Sequence, residues 1–303
     1  MTSTKAAILA TLAYADVFDY PLTEAEIWRF LIQKQVSLAR FRAALADLSQ
    51  RKLIGYKSGY YMLKGRDLTA LRINREKIAQ VKLKRARRLV YILSKIPTVE
   101  LIGISGALAV HNAPVGDDID FFIITSPGRM WLTRFLTTLV ADVLGVRRRP
   151  GMQDVTNKIC LNMFIDGAHL KLPVGERDLY GAHEVTQLVP LYSINSIYER
   201  FISANFWVKK FLPHALKLPE VTVRPRSGSD YYLWQELENI SRKAQLLYMR
   251  RRLSREIIRP DLVRFHPQDG RTWIYPKFTN RLKAIRSKTR LKFTGLDKYA
   301  VHP

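Results

Sequence analysis

Two aspartates one residue apart, Asp118-Ile119-Asp120, run straight into the apolar string Phe121-Phe122-Ile123-Ile124-Thr125. A strand alternates its side chains between two faces, so Asp118 and Asp120 share one side while Ile119 enters the core. Carboxylates in such a setting demand partners. Two held side by side suit Mg²⁺ or Mn²⁺, hard cations that take oxygen ligands and also bind nucleotide phosphates. Upstream, Val99-Glu100-Leu101-Ile102-Gly103-Ile104 reads as a buried strand that ends in the small-residue turn Ser105-Gly106-Ala107. A helix beginning near Gly106 would offer backbone N–H groups to those phosphates.

Strand, small-residue turn, helix and then D-x-D on the next strand resembles the polymerase β-type nucleotidyltransferase superfamily. The resemblance spans about Val99 to Asp166, with Gly106-Ala107 at the family's Gly-Ser turn and Asp117 just before the acidic pair. It implies an NTP substrate and in-line transfer of a nucleotidyl group to an acceptor hydroxyl. Asp118 and Asp120 would be catalytic metal ligands, and Ser105, Gly106 and Ala107 would lie against the nucleotide. Arg129, Arg134 and Lys158 are further candidates for holding the triphosphate.

The family normally supplies a third carboxylate from a later strand. The strand expected over Lys158–Asp166 puts Lys158, Cys160, Asn162, Phe164 and Asp166 on one face. Asn162 stands about where the third acid belongs, and an amide is a weaker ligand and no base. Asp166 lies four residues on, so the two cannot fill the same place. With Asn162 nearest the pair, weak or absent transfer is expected; with Asp166 there, the site has three acids. The rival to an enzyme is a non-catalytic homologue that serves as a DNA-binding regulator or an RNA-binding adaptor.

Residues 1–65 read as three helices and a hairpin. Thr23 and Glu26 form a capping box for the second helix, Ser37 caps the third, and Lys57-Ser58-Gly59 makes the turn. This order resembles a winged helix, which implies a third helix that presents Arg40 and Arg42 to DNA and a wing that carries Lys57. Residues 66–96 read as one basic linking helix with Ile73, Ile78, Val81, Leu89 and Ile92 turned inward. Residues 97–175 form the core, and 176–303 a helical, basic C-terminal region. That region includes a helix over Tyr232–Ile258, a hinge over 218–230, and an aromatic strap holding Phe265-His266-Pro267 and Trp273-Ile274-Tyr275-Pro276. The fold class expected is α+β, with an N-terminal winged helix, a small mixed-sheet core and a helical C-terminal region.

The net charge of +24 is concentrated in two places. Residues 66–96 hold ten basic and two acidic residues, and 241–303 hold seventeen and four. Fields of this kind attract nucleic acid or another polyanion, because each neutralised phosphate releases a counterion. The apolar run Trp131–Val146 contains Arg134 and Asp142 and falls short of the roughly 20 residues that a membrane span needs. A single cysteine, Cys160, excludes an internal disulfide and suits a reducing compartment, so a cytoplasmic location is expected.

Overall fold

The computed structural model describes residues 3–217, 231–250, 257–258, 262–264, 269–289 and 291–296. The chain opens with helices α1 (Thr4–Asp16), α2 (Glu24–Arg29) and α3 (Leu38–Gln50), and the hairpin β1 (Ile54–Lys57) and β2 (Tyr60–Leu63). Local chemistry sets each start. The Ser3 and Ser37 side chains accept N–H bonds at the heads of α1 and α3, and Thr23 and Glu26 close the expected capping box on α2. The hairpin pairs Lys57 with Tyr60, and Ser58 and Gly59 both take positive φ between them. That is the combination a tight two-residue turn requires.

Helix α4 (Thr69–Leu93) leads to β3 (Val99–Ile104), the short α5 (Gly106–Ala109), β4 (Ile119–Thr125), α6 (Met130–Val143) and β5 (Ile159–Asp166). After these come α7 (Leu179–Gln187), β6 (Val189–Ser193), α8 (Ile197–Ala204), α9 (Tyr231–Met249), β7 (Ile257–Ile258), β8 (Leu262–Arg264) and α10 (Arg271–Thr289). The strands build a six-stranded sheet in the order β6-β3-β4-β5-β8-β7. Only the β4–β5 neighbours are parallel, joined by the α6 crossover. The architecture is therefore α+β, with a helix–hairpin module, a mixed sheet and a helical C-terminal region.

The sheet separates two apolar layers, because β4 alternates. Phe121 and Ile123 enter a core with Ala79, Leu83, Ala86 and Val90 of α4 and with Met130 and Trp131 of α6. Phe122 and Ile124 face the opposite way, into a core that contains α1–α3, α7, α8 and α10. The N-terminal module is thus packed into one face of the sheet. Asp16 at the end of α1 is ion-paired to Arg66 and to Arg281 of α10.

Three expectations change. The buried stripe of α4 runs through Arg72, Ala79, Lys82, Leu83, Ala86, Leu89, Val90 and Leu93, whereas Ile73, Val81 and Ile92 are exposed. Of the expected stripe Leu89 is buried and Ile78 half-buried; the face is turned from the rest because buried Arg72 and Lys82 find polar partners there. The C-terminal part also adds strands. Pro190 lies in β6 at the sheet edge, where a proline is tolerated, and β7 and β8 extend the other side. The helix expected to reach Ile258 ends at Met249, and Trp273–Pro276 belongs to α10, not to a strap. The 218–230 hinge, Phe265-His266-Pro267 and Arg251, Arg252 and Arg255 lie outside the described residues.

Candidate functional site

The acidic pair converges as alternation requires. Ile119 is fully buried, while one ligand atom each from Asp118, Asp120 and Cys160 lie within 4.8 Å of one another. Cys160 arrives through the β4–β5 pairing, which sets it directly beside Asp120. Its thiol hydrogen-bonds the Asp120 carboxylate, and burial together with both aspartates pushes its acidity far down. Without a cation, Cys160 is therefore a neutral donor to Asp120.

This answers the question of the third position. Leu161 pairs with Phe121 and Met163 with Phe122, which leaves Asn162 as the extra residue of a bulge and breaks the two-residue period. Asp166 pairs with Thr125 at the far end of β4, about 20 Å along the strand from the acidic pair. There it accepts the Gly128 N–H at 2.6 Å and the Ala168 N–H at 2.8 Å, as a buried turn cap. The residue beside Asp120 is Cys160, which sequence reasoning placed on the right face but passed over in favour of Asn162 and Asp166.

The turn before α5 is fitted to Asp120. Ser105 N–H donates to the Asp120 carbonyl at 3.1 Å, and Gly106 adopts φ +64°. A Cβ at Gly106 would stand 2.9 Å from Asp120 Oδ2. Helix α5 is a single turn of four residues, so it carries little of the dipole expected of a phosphate-binding helix end. What the turn supplies is close backbone contact with the carboxylate.

Lys82 holds the other side in place. Buried in α4, its ammonium donates to Val115 O (2.8 Å), Asp117 O (2.6 Å) and Asn157 Oδ1 (3.1 Å), using all three protons. Asn157 N–H returns to Asp117 O, and Ile119 N–H bonds Lys158 O. The loop ahead of Asp118 is thereby clamped to the loop ahead of Cys160. Sequence reasoning missed Lys82 because it lay within a helix read as a basic linker. Arg148 lies in the run Arg147-Arg148-Arg149, which the sequence offers as a solvated loop charge run able to guide a polyanion; it donates to Asp118 Oδ2 at 2.7 Å. The neighbouring Arg147 and Arg149 pair with Asp142.

Electrostatics follow from crowding. Burial, then Asp118 and Glu184, raise the Asp120 carboxyl to about 7, against the pull of Arg148 and the Cys160 hydrogen bond. Burial and Asp118 also raise Asp117, opposed by Lys82, Arg75 and Arg148. Two adjacent carboxylates of which one resists ionisation form a place where a divalent cation is favourable. The donor set fits one hard cation held by Asp118 and Asp120. Sulfur is a soft ligand, so Cys160 adds nothing for a second hard cation.

The phosphate candidates divide. Lys158 borders the pair, its carbonyl on Ile119 and its ammonium on Gly145 O at 2.9 Å. Arg129 and Arg134 instead dock α9 beyond the opposite end of β4, through Gln235 and Gln245. In the N-terminal module, Arg42 pairs with Glu24 and Lys57 with Asp67, while Arg40 is exposed.

No family model, curated protein or solved structure matches the chain. The cluster rests on its own geometry. Among the described residues, no helix is long and apolar enough to cross a membrane.

Beside Asp120 the site opens into a cavity of about 330 Å³. Its walls come from α1, the 105–107 turn, α7 and the start of α10. Tyr14, Phe18, Tyr180 and Trp273 give it an aromatic lining, and Asp120 and Glu184 supply the only carboxylates among the described lining residues.

Proposed function

We propose that the chain is a divalent-metal-dependent nucleotidyltransferase that moves a nucleotidyl group from an NTP to an acceptor. The observation that carries this reading is the convergence of Asp118 and Asp120 against the Gly106 turn. Asp118 and Asp120 would hold a Mg²⁺ or Mn²⁺ ion, which when bound supplies charge for the phosphates. Lys82 is a positioning residue that fixes the loop carrying Asp118. Arg148 neutralises Asp118 in the absence of a cation and can turn to a phosphate once the cation takes its place. In the transfer, the acceptor oxygen bonds to the α-phosphorus as the α–β phosphoanhydride bond breaks. Pyrophosphate leaves with the bonding pair, and the acceptor proton passes to solvent, because Cys160 fills the place of a carboxylate base.

A second reading follows from that same cysteine. With a thiol beside Asp120 and, among the described residues, no third acid within that cluster, the site suits a homologue that binds nucleotide without turnover. Nucleic acid or another polyanion remains the partner suggested by the charge, with Arg148 on Asp118 and Lys158 bonded to Ile119 beside it. The deciding assay incubates the protein and Cys160→Asp with each α-labelled NTP, Mg²⁺ or Mn²⁺, and pools of RNA, protein and small molecules. The transferase reading expects label on one pool, transferred faster by Cys160→Asp. Label on no pool with either protein, despite nucleotide binding, favours the silent homologue.

A further inference from the structure

The site has two unlike sides. Asp118 faces Arg148 and the basic 147–149 segment, whereas Asp120 lines the cavity. In a protein of net charge +24, none of the described residues lining that cavity is a lysine or an arginine. His183, which also lines it, is held neutral by burial. The described lining residues offer a triphosphate no cation of their own, whereas the Asp118 side carries Arg148, so phosphates belong on the Asp118 side. The cavity suits the opposite chemistry. Its aromatic walls offer stacking and cation–π contact, and its carboxylates favour a neutral or positive polar group. About 330 Å³ is at the lower end of the range for sites that enclose a small organic ligand. Half-buried Gln187 and buried His183 supply polar contacts; the Gln187 amide donates to His183 Nδ1, and His183 Nε2 has no hydrogen-bond partner.

We propose that this cavity binds the acceptor, a small molecule with an aromatic or alicyclic body and an uncharged or cationic head that carries the attacking hydroxyl or amine. The acceptor role rests on the transferase reading; occupancy of the cavity does not. The N-terminal module then serves as a wall of the acceptor site, through Tyr14 and Phe18. A nucleic-acid acceptor does not fit, since its phosphates would meet carboxylates in a largely apolar cavity.

The test titrates 2-phenylethylamine, 2-phenylethanol and phenylacetate into the full chain by ligand-observed NMR, with and without Mg²⁺ and a non-hydrolysable NTP analogue. The amine and the alcohol should bind, and phenylacetate at least tenfold more weakly. Ala15→Leu, which fills the cavity, and Trp273→Ala, which removes a half-exposed wall, should each weaken the amine at least fivefold. Nucleotide should leave probe affinity within twofold. Equal binding of phenylacetate, indifference to both variants, or displacement by the nucleotide analogue would overturn the proposal; displacement would make this the base site. Nucleotide binding with no probe binding overturns the acceptor assignment alone. Probe binding in the cavity with no metal-dependent nucleotide binding overturns the transferase reading and leaves a small-molecule site.

Discussion

Gly106 and Asp120 are in such close contact that a single added methyl at residue 106 would stand 2.9 Å from Asp120 Oδ2. The backbone is held on both sides, so it is the carboxylate that would have to turn. Gly106 sits at φ +64°, a conformation that side chains rarely adopt, and Asp120 is fixed by a strand paired on both sides. The turn thereby restricts where that carboxylate can point.

Gly106→Ala should therefore displace the Asp120 carboxylate as well as strain the turn. The expected result is a loss of about 1–3 kcal/mol in stability, the cost of such a backbone conformation, and at least tenfold weaker Mn²⁺ binding. Urea unfolding and metal titration measure the two. Metal affinity unchanged in a destabilised variant would show that the contact does not orient Asp120.

Arg148 competes with a cation for Asp118. Arg148→Ala should strengthen binding of Mn²⁺ alone, by roughly threefold to tenfold, because the carboxylate no longer has to release a surface ion pair worth about 1 kcal/mol. The same variant should weaken metal–nucleotide binding, since the guanidinium is lost from the phosphates. Both titrations moving in one direction would contradict this exchange.

Much of the site was legible in the sequence, for a physical reason. A two-residue period is imposed by the strand itself, so Asp118-Ile119-Asp120 had to present both acids together. Capping is equally local, which is why Thr23, Glu26 and Ser37 announced their helices. What failed depended on partners remote in sequence. The bulge at Asn162 arises from the fit of β5 to β4, and it ended the alternation from which Asn162 and Asp166 were read. Lys82 looked like one more charge on a basic helix until its three acceptors came from 33 to 75 residues away. The cavity was illegible because α1, α7 and α10 meet only in the folded chain.

His183 couples that cavity to acid stability. Its ring stacks on Tyr14 at 4.3 Å, and complete burial lowers its pKa from 6.5 to about 3. The folded protein keeps it neutral, while the unfolded chain takes up a proton below about pH 6.5. Stability should then fall as the pH drops from 6.5 towards 3, by about 1.4 kcal/mol per pH unit from this residue. His183→Phe keeps the stacked ring and removes the proton, so it should gain on the wild type by that slope. Parallel stability curves for the two proteins would show that His183 is protonated in the fold.

The central claim is that Asp118 and Asp120 together hold the metal of a nucleotide site. Calorimetric titration of each NTP with Mg²⁺ into wild type, Asp118→Ala and Asp120→Ala tests it most directly, with circular dichroism to verify folding. The wild type should bind at least one NTP, chelation of the metal should abolish that binding, and both folded variants should bind at least tenfold more weakly. The same nucleotide affinity in all three proteins, or affinity that survives chelation, would contradict the account.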